Sequence, residues 1–123
     1  NPPWPVWDAD TLGKMIGDNP EMQQTLLRKF LKNAQQQVQQ IGTAALAHDT
    51  RQIADIAHKL KSSARTVGAL ALGELCEEIE TTGLADQSAP CLELAAALPD
   101  ALAGAAEMIG VTLRRFDQTH SPG

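Results

Sequence analysis

His58 sits in the run Ala57-His58-Lys59-Leu60-Lys61-Ser62-Ser63-Ala64-Arg65. An imidazole has an ordinary pKa near 6.5, so at neutral pH it is largely an uncharged nucleophile. On a helical wheel of about 100° per residue, Ile53, Ile56, Ala57, Leu60, Ala64 and Val67 share one apolar face. His58 lies about 140° from Ile53 on that wheel, beside the core edge but pointing outward. Ser62 and Arg65 follow on its side one and two turns later, with Lys61 next to them. Between Arg51 and Thr66 stand Arg51, Lys59, Lys61 and Arg65 against one acid, Asp55. That local excess of cations occurs in a chain of net charge −5. The small side chains Ala54, Ser62 and Ser63 are expected to leave the ring protruding and reachable. A lone helical histidine is ordinarily just solvated, and His48 and His120 are read that way. The three histidines show no i, i+4 pairing with a carboxylate partner, so no metal site is expected.

The elements that must hold this run are helices. Residues 1–7 contain three of the seven prolines and read as an extended arm whose Trp4, Val6 and Trp7 fold back onto the body. Asp10 can cap a short helix ending near Ile16, with Gly17 after it. Asn19-Pro20-Glu21 is a second start signal, and an apolar stripe from Leu26 through Phe30, Ala34, Val38 and Ile41 to Ala45 predicts a long helix to about Ala47. The glutamines at 35, 36, 37, 39 and 40 fall mostly on its solvated face. Asp49 with Gln52 resembles a capping box and opens the helix that carries His58, which Gly68 stops. A fourth helix, about Leu70 to Thr82, is stopped by Gly83 and buries Leu72, Leu75, Cys76 and Ile79. After a polar turn at 85–90, a last helix runs from about Cys91 to Phe116, kinked or broken by Pro99 near Leu98. The domain reading is an arm at 1–7, an all-α up-down-up-down four-helix bundle with a short extra N-terminal helix at 8–117, and a flexible tail at 118–123.

Composition agrees with helices and excludes several functions. The 123 residues include 19 Ala and 15 Leu but no Tyr, two Phe and two Trp. Strands prefer the aromatic and β-branched residues that are scarce here. Ten basic against fifteen acidic residues make a poor nucleic-acid binder. Glu93, Asp100 and Glu107 interrupt the Ala-rich C-terminal stretch, so no membrane span is expected. Cys76 and Cys91 lack CxxC spacing and read as two thiols in a reducing compartment, Cys76 in the core.

The run from Ala57 to Ala69 resembles the signature of histidine-containing phosphotransfer (HPt) domains. That signature is a His, an aliphatic residue two later (Leu60), a Lys three later (Lys61), small residues, then Gly-Ala at Gly68-Ala69. Leu72, Cys76, Ile79 and Glu80 resemble the family's next helix; Leu26, Phe30 and Leu31 resemble the preceding one. The resemblance covers about residues 8–116. Many members carry Gly four residues after the His, where this chain has Ser62, which is still small.

The resemblance implies that His58 accepts a phosphoryl group from a receiver-domain phospho-aspartate and passes it to another receiver's Asp. Nε2 would be the nucleophile, and Glu80 would fix the other ring nitrogen. Lys61, and with it Lys59 and Arg65, would offset phosphate charge; Ser62 would add a hydroxyl nearby. The chain would need no cofactor of its own, with Mg²⁺ supplied by the receiver. It would be a carrier and not an enzyme by itself, monomeric, cytoplasmic, with no membrane contact by this domain. The absent start Met and the arm suggest the C-terminal domain of a bacterial hybrid sensor kinase. Two other readings remain: the substrate domain of a chemotaxis-type kinase, and a bundle that docks receivers without phosphotransfer.

Overall fold

The structure is a computed structural model that describes residues 4–120, with side chains through Gln118. Six helical segments follow one another: α1 (Ala9–Ile16), α2 (Pro20–Leu46), α3 (Thr50–Val67), α4 (Leu70–Leu84), α5 (Ser88–Ala96) and α6 (Leu98–His120). The all-α bundle expected from composition is the observed fold. Residues 1–3 of the arm, 121–123 of the tail and the side chain of His120 lie outside the described residues.

Most helix boundaries follow local chemistry. Asn19 caps α2 by accepting from the backbone N–H groups of Glu21 and Met22, and Pro20 occupies the first turn. The Asp49 side chain accepts from Gln52 N at 3.1 Å and opens α3. Gly68 ends α3 with φ +95°, the left-handed conformation glycine adopts most cheaply. A Cβ at Gly68 would also lie 2.1 Å from the Asp8 carbonyl oxygen, so the chain entering α1 presses directly on this turn.

Three boundaries differ from expectation. Asp8 rather than Asp10 caps α1: one carboxylate oxygen accepts from Asp10 N and the other from the Thr11 hydroxyl. Gly83 does not stop α4, which continues to Leu84. It is buried where α4 crosses α3, and a Cβ there would lie 2.8 Å from Thr50 O and 3.0 Å from Ala54 Cβ. The glycine is a point of close approach, not punctuation. Finally, α5 begins at Ser88, before Cys91, with Pro90 in its first turn. An N–H missing there is one the helix would not have bonded anyway. Pro99 has the same role at the start of α6, and the regular helix is interrupted at Ala97, one residue from the break expected near Leu98. α6 continues past Phe116 to His120.

Leu27, Phe30, Ile41, Ile53, Leu60, Leu72, Ile79, Leu98 and Ile109 form the centre of a single core contributed by every long helix. Four of the five α2 glutamines are exposed; Gln37 is half-buried. The arm is only partly folded back. Trp7 is half-buried and donates its indole N–H to Val67 O at 2.8 Å, while Ala71 N donates to Pro5 O. Trp4 and Val6 stay 48% and 42% exposed, against expectation: of the three, only Trp7 has its side chain hydrogen-bonded to the body, at the end of α3.

The α5–α6 stretch corrects one exclusion. Ser88–Gln118 spans 31 residues with a best-window mean hydropathy of 1.4, enough by length and composition to cross a membrane despite its interrupting acids. In the fold its stripe Cys91, Ala95, Leu98, Leu102, Ala105, Ile109 and Leu113 enters the core. A core helix of a bundle passes the same test as a span.

Candidate functional site

α3 buries its Ile53, Ala57, Leu60 and Ala64 and turns His58 outward, as its periodicity requires. The His58 side chain is 62% exposed. α4 packs alongside and supplies Glu80, whose side chain is only 16% exposed. Nδ1 of His58 lies 2.9 Å from Glu80 Oε2. A carboxylate can only accept, so Nδ1 carries the proton and donates. That leaves Nε2 as the nitrogen with the lone pair, on an exposed ring.

Glu80 has a second partner. Lys61, one turn after His58, donates from Nζ to Glu80 Oε1 at 2.6 Å. The carboxylate thus bridges an ammonium and an imidazole, one oxygen each. The lysine's hydrogen bond, then that of His58, holds the Glu80 carboxyl below its usual range, against the opposing effect of burial. Reciprocally, the hydrogen bond to Glu80 raises Lys61 above the ordinary lysine value.

The structure redistributes the residues expected around the ring. Lys61 meets the ring's carboxylate rather than standing free beside the ring. Arg65 turns to α4, 3.6 Å from Glu74 and 3.7 Å from Glu77. The cationic patch on α3 is therefore offset across the seam by the acids of α4, because a count along one helix omits its neighbour. Ser62 and Lys59 are exposed near His58. Ser63 instead bonds back to Leu60 O and lines a groove against α2. Ala54 is buried, its Cβ facing Gly83. It shapes the site by letting α4 approach, so a bulky residue there would separate the helices. Glu74 and Glu77 are the residues missed; their acid run on α4 was the available signal.

Beside the imidazole is a groove of about 380 Å³ lined by Ala54, Asp55, His58, Lys59, Glu80 and Leu84. Leu84, 54% exposed, gives this rim an apolar edge. A larger groove between α2 and α6, about 630 Å³, is lined by no titratable side chain and offers no chemistry. No cluster of three or more potential metal ligands occurs among the described residues.

The family model of the Hpt domain matches residues 25–108, which include His58, Lys61 and Glu80. The chain belongs to the Hpt domain family. As an HPt domain it is a histidine phosphotransfer module of phosphorelay signalling. Its fold is similar to the crystal structure of histidine-containing phosphotransfer protein B (HptB) from Pseudomonas aeruginosa PAO1, with TM-score 0.84 and 19% identity. That similarity covers 90% of this chain and 96% of the other. A search among curated protein sequences found no match.

Proposed function

We propose that His58 of this HPt domain is the phospho-acceptor of a relay between receiver domains. The observation that carries the reading is the Nδ1–Glu80 hydrogen bond of 2.9 Å on a ring 62% exposed. It fixes the tautomer whose nucleophilic nitrogen faces outward.

The Nε2 lone pair attacks the phosphorus of a receiver acyl phosphate, and the bond from phosphorus to the aspartate oxygen breaks. The aspartate leaves as a carboxylate, and no proton moves. The product ring carries phosphorus on Nε2 and hydrogen on Nδ1, so it gains positive charge. Glu80, already ionised and hydrogen-bonded, stabilises that charge without reorganising. Transfer to a second receiver reverses these steps. The receiver supplies Mg²⁺ and the acidic pocket; this chain supplies the nucleophile, its orientation and an open approach. It acts as a monomeric carrier rather than an enzyme. Two buried, unpaired thiols, Cys76 and Cys91, suit the cytoplasm where receivers work.

Incubation with a phosphorylated receiver tests the reading. The wild type should take up acid-labile, alkali-stable phosphate, and His58→Gln should take up none. Equal labelling of the variant, or no labelling of the wild type by any of a panel of receivers, overturns it.

A further inference from the structure

The carboxylate that holds His58 is itself held, through a ladder that continues away from the ring. Lys61 Nζ lies 2.6 Å from Glu80 Oε1 and 3.6 Å from Glu77 Oε2. The other oxygen of Glu77 lies 3.7 Å from Arg65 Nη2, which in turn is 3.6 Å from Glu74 Oε2. Charges alternate along the α3–α4 seam from Glu74 to His58. Gly73 makes the room for this: a Cβ there would sit 2.9 Å from Arg65 Cγ, so the arginine stem crosses α4 where no side chain stands.

The distances rank the links. The 2.6 Å contact is a charge-assisted hydrogen bond, while the 3.6–3.7 Å contacts are loose ion pairs that repartition readily near solvent. Lys61 therefore stands between two carboxylates, and Arg65 occupies one of them. We propose, on the footing that His58 is the phospho-acceptor, that Arg65 is a positioning residue: it engages Glu77, which would otherwise compete for Lys61, so that Lys61 stays on Glu80 and Glu80 stays on the Nδ1 proton. Without Arg65, Glu77 competes for the ammonium. Glu80 loses part of its anchor, and the ring gains the tautomer with its proton on Nε2. That nitrogen then has no lone pair for attack.

Arg65 acts through Glu77 and not through its own field. Seven residues on one helix are about 10 Å apart along the axis, roughly a Debye length at physiological salt. The pairwise ladder and a direct field make different predictions, which a double-variant cycle separates.

The experiment is ¹⁵N NMR of the His58 ring in the full chain, for wild type, Arg65→Gln, Glu77→Gln and the double variant. It is paired with phosphoryl uptake from a phosphorylated receiver. Arg65→Gln should raise the Nε2–H fraction and slow uptake about threefold, the scale a surface ion pair supports. In a Glu77→Gln background the same Arg65 substitution should change neither. An unchanged ratio in Arg65→Gln overturns the proposal, as does an equal change with and without Glu77. The ring signals need no phosphoryl donor. If they follow the ladder while His58 takes no phosphate, the phospho-acceptor reading fails and the ladder stands.

Discussion

His58 and Glu80 divide the work of one site between an exposed ring and a nearly buried carboxylate. Replacing Glu80 by Gln keeps an acceptor for Nδ1–H but removes the charge that, on the proposed mechanism, would stabilise a phosphorylated ring. Hydrogen bonds to a charged group contribute about 1.5–3 kcal/mol, so transfer should slow about tenfold in a stopped-flow assay with a phosphorylated receiver. The same substitution should change the pH profile of stability. Glu80 titrates below the unfolded carboxylate, mainly because of Lys61, so its stabilisation is present above about pH 4.3 and is lost as pH falls through the lower folded value. Wild type should thus exceed Glu80→Gln in urea midpoint at pH 7, and the gap should close in strong acid. A gap that persists at pH 2 would show that the contribution of Glu80 is not ionic. At this scale His58 was legible, because its outward position follows from the periodicity of α3 alone. The destination of Arg65 was not, since its partners Glu74 and Glu77 come from α4. Wheel geometry describes one helix and is silent about the charges of the helix beside it.

Two glycines at the element scale show what punctuation signals convey. Gly68 was read as a stop and is one, but its environment adds a demand the sequence does not display: the Asp8 carbonyl occupies the place of its missing Cβ. Asp8 N also donates to Gly68 O at 2.8 Å, so the entry to α1 and the exit of α3 form one joint. Gly68→Ala must therefore pay for φ +95° and displace the entry to α1 as well. A cost of about 1–3 kcal/mol is expected from the backbone conformation. It should appear as a lower urea midpoint together with a change in Trp7 fluorescence, since that indole is bonded to Val67 O beside the joint. Loss of stability with unaltered Trp7 emission would mean that the joint and the arm are independent. Gly83 does not stop α4 as its position suggests, because a glycine near a helix end looks the same whether it terminates the helix or admits a neighbouring backbone. Only the packing of α4 against Thr50 and Ala54 distinguishes them. Pro90 is ambiguous for a related reason: the N–H groups of a helix's first turn have no intrahelical partner, so a proline there can stand inside the helix, as in α5, as well as before it.

Across the whole molecule, one core joins every long helix, and the two thiols sample it at separate places. Cys76 lies on α4, where the charges of Lys61 and Arg65 reach its thiol, and Cys91 lies on α5 against the α4 backbone near Gly83. Both are inaccessible to solvent. Burial pushes the Cys76 thiol up to about 12, and burial raises Cys91 too. The thiolate is the reactive form, so neither should react at neutral pH while folded. Either must first be exposed by opening, and the size of that opening is the informative quantity. If α5 and α6 detached as a unit, Cys91 would be labelled at a smaller free-energy cost than Cys76. The core argues otherwise: Leu98, Leu102 and Ile109 pack in the same cluster as Leu72 and Ile79, so removing α5–α6 uncovers the interior of the other helices. Opening should therefore be global, as expected for a small single-core domain. Labelling by a disulfide reagent across a urea series, resolved by mass spectrometry, should give the same opening free energy and the same urea dependence for both cysteines. Those values should equal the global unfolding values from circular dichroism. A shallower urea dependence for Cys91 would reveal a partly open state with the α3–α4 seam and its histidine intact.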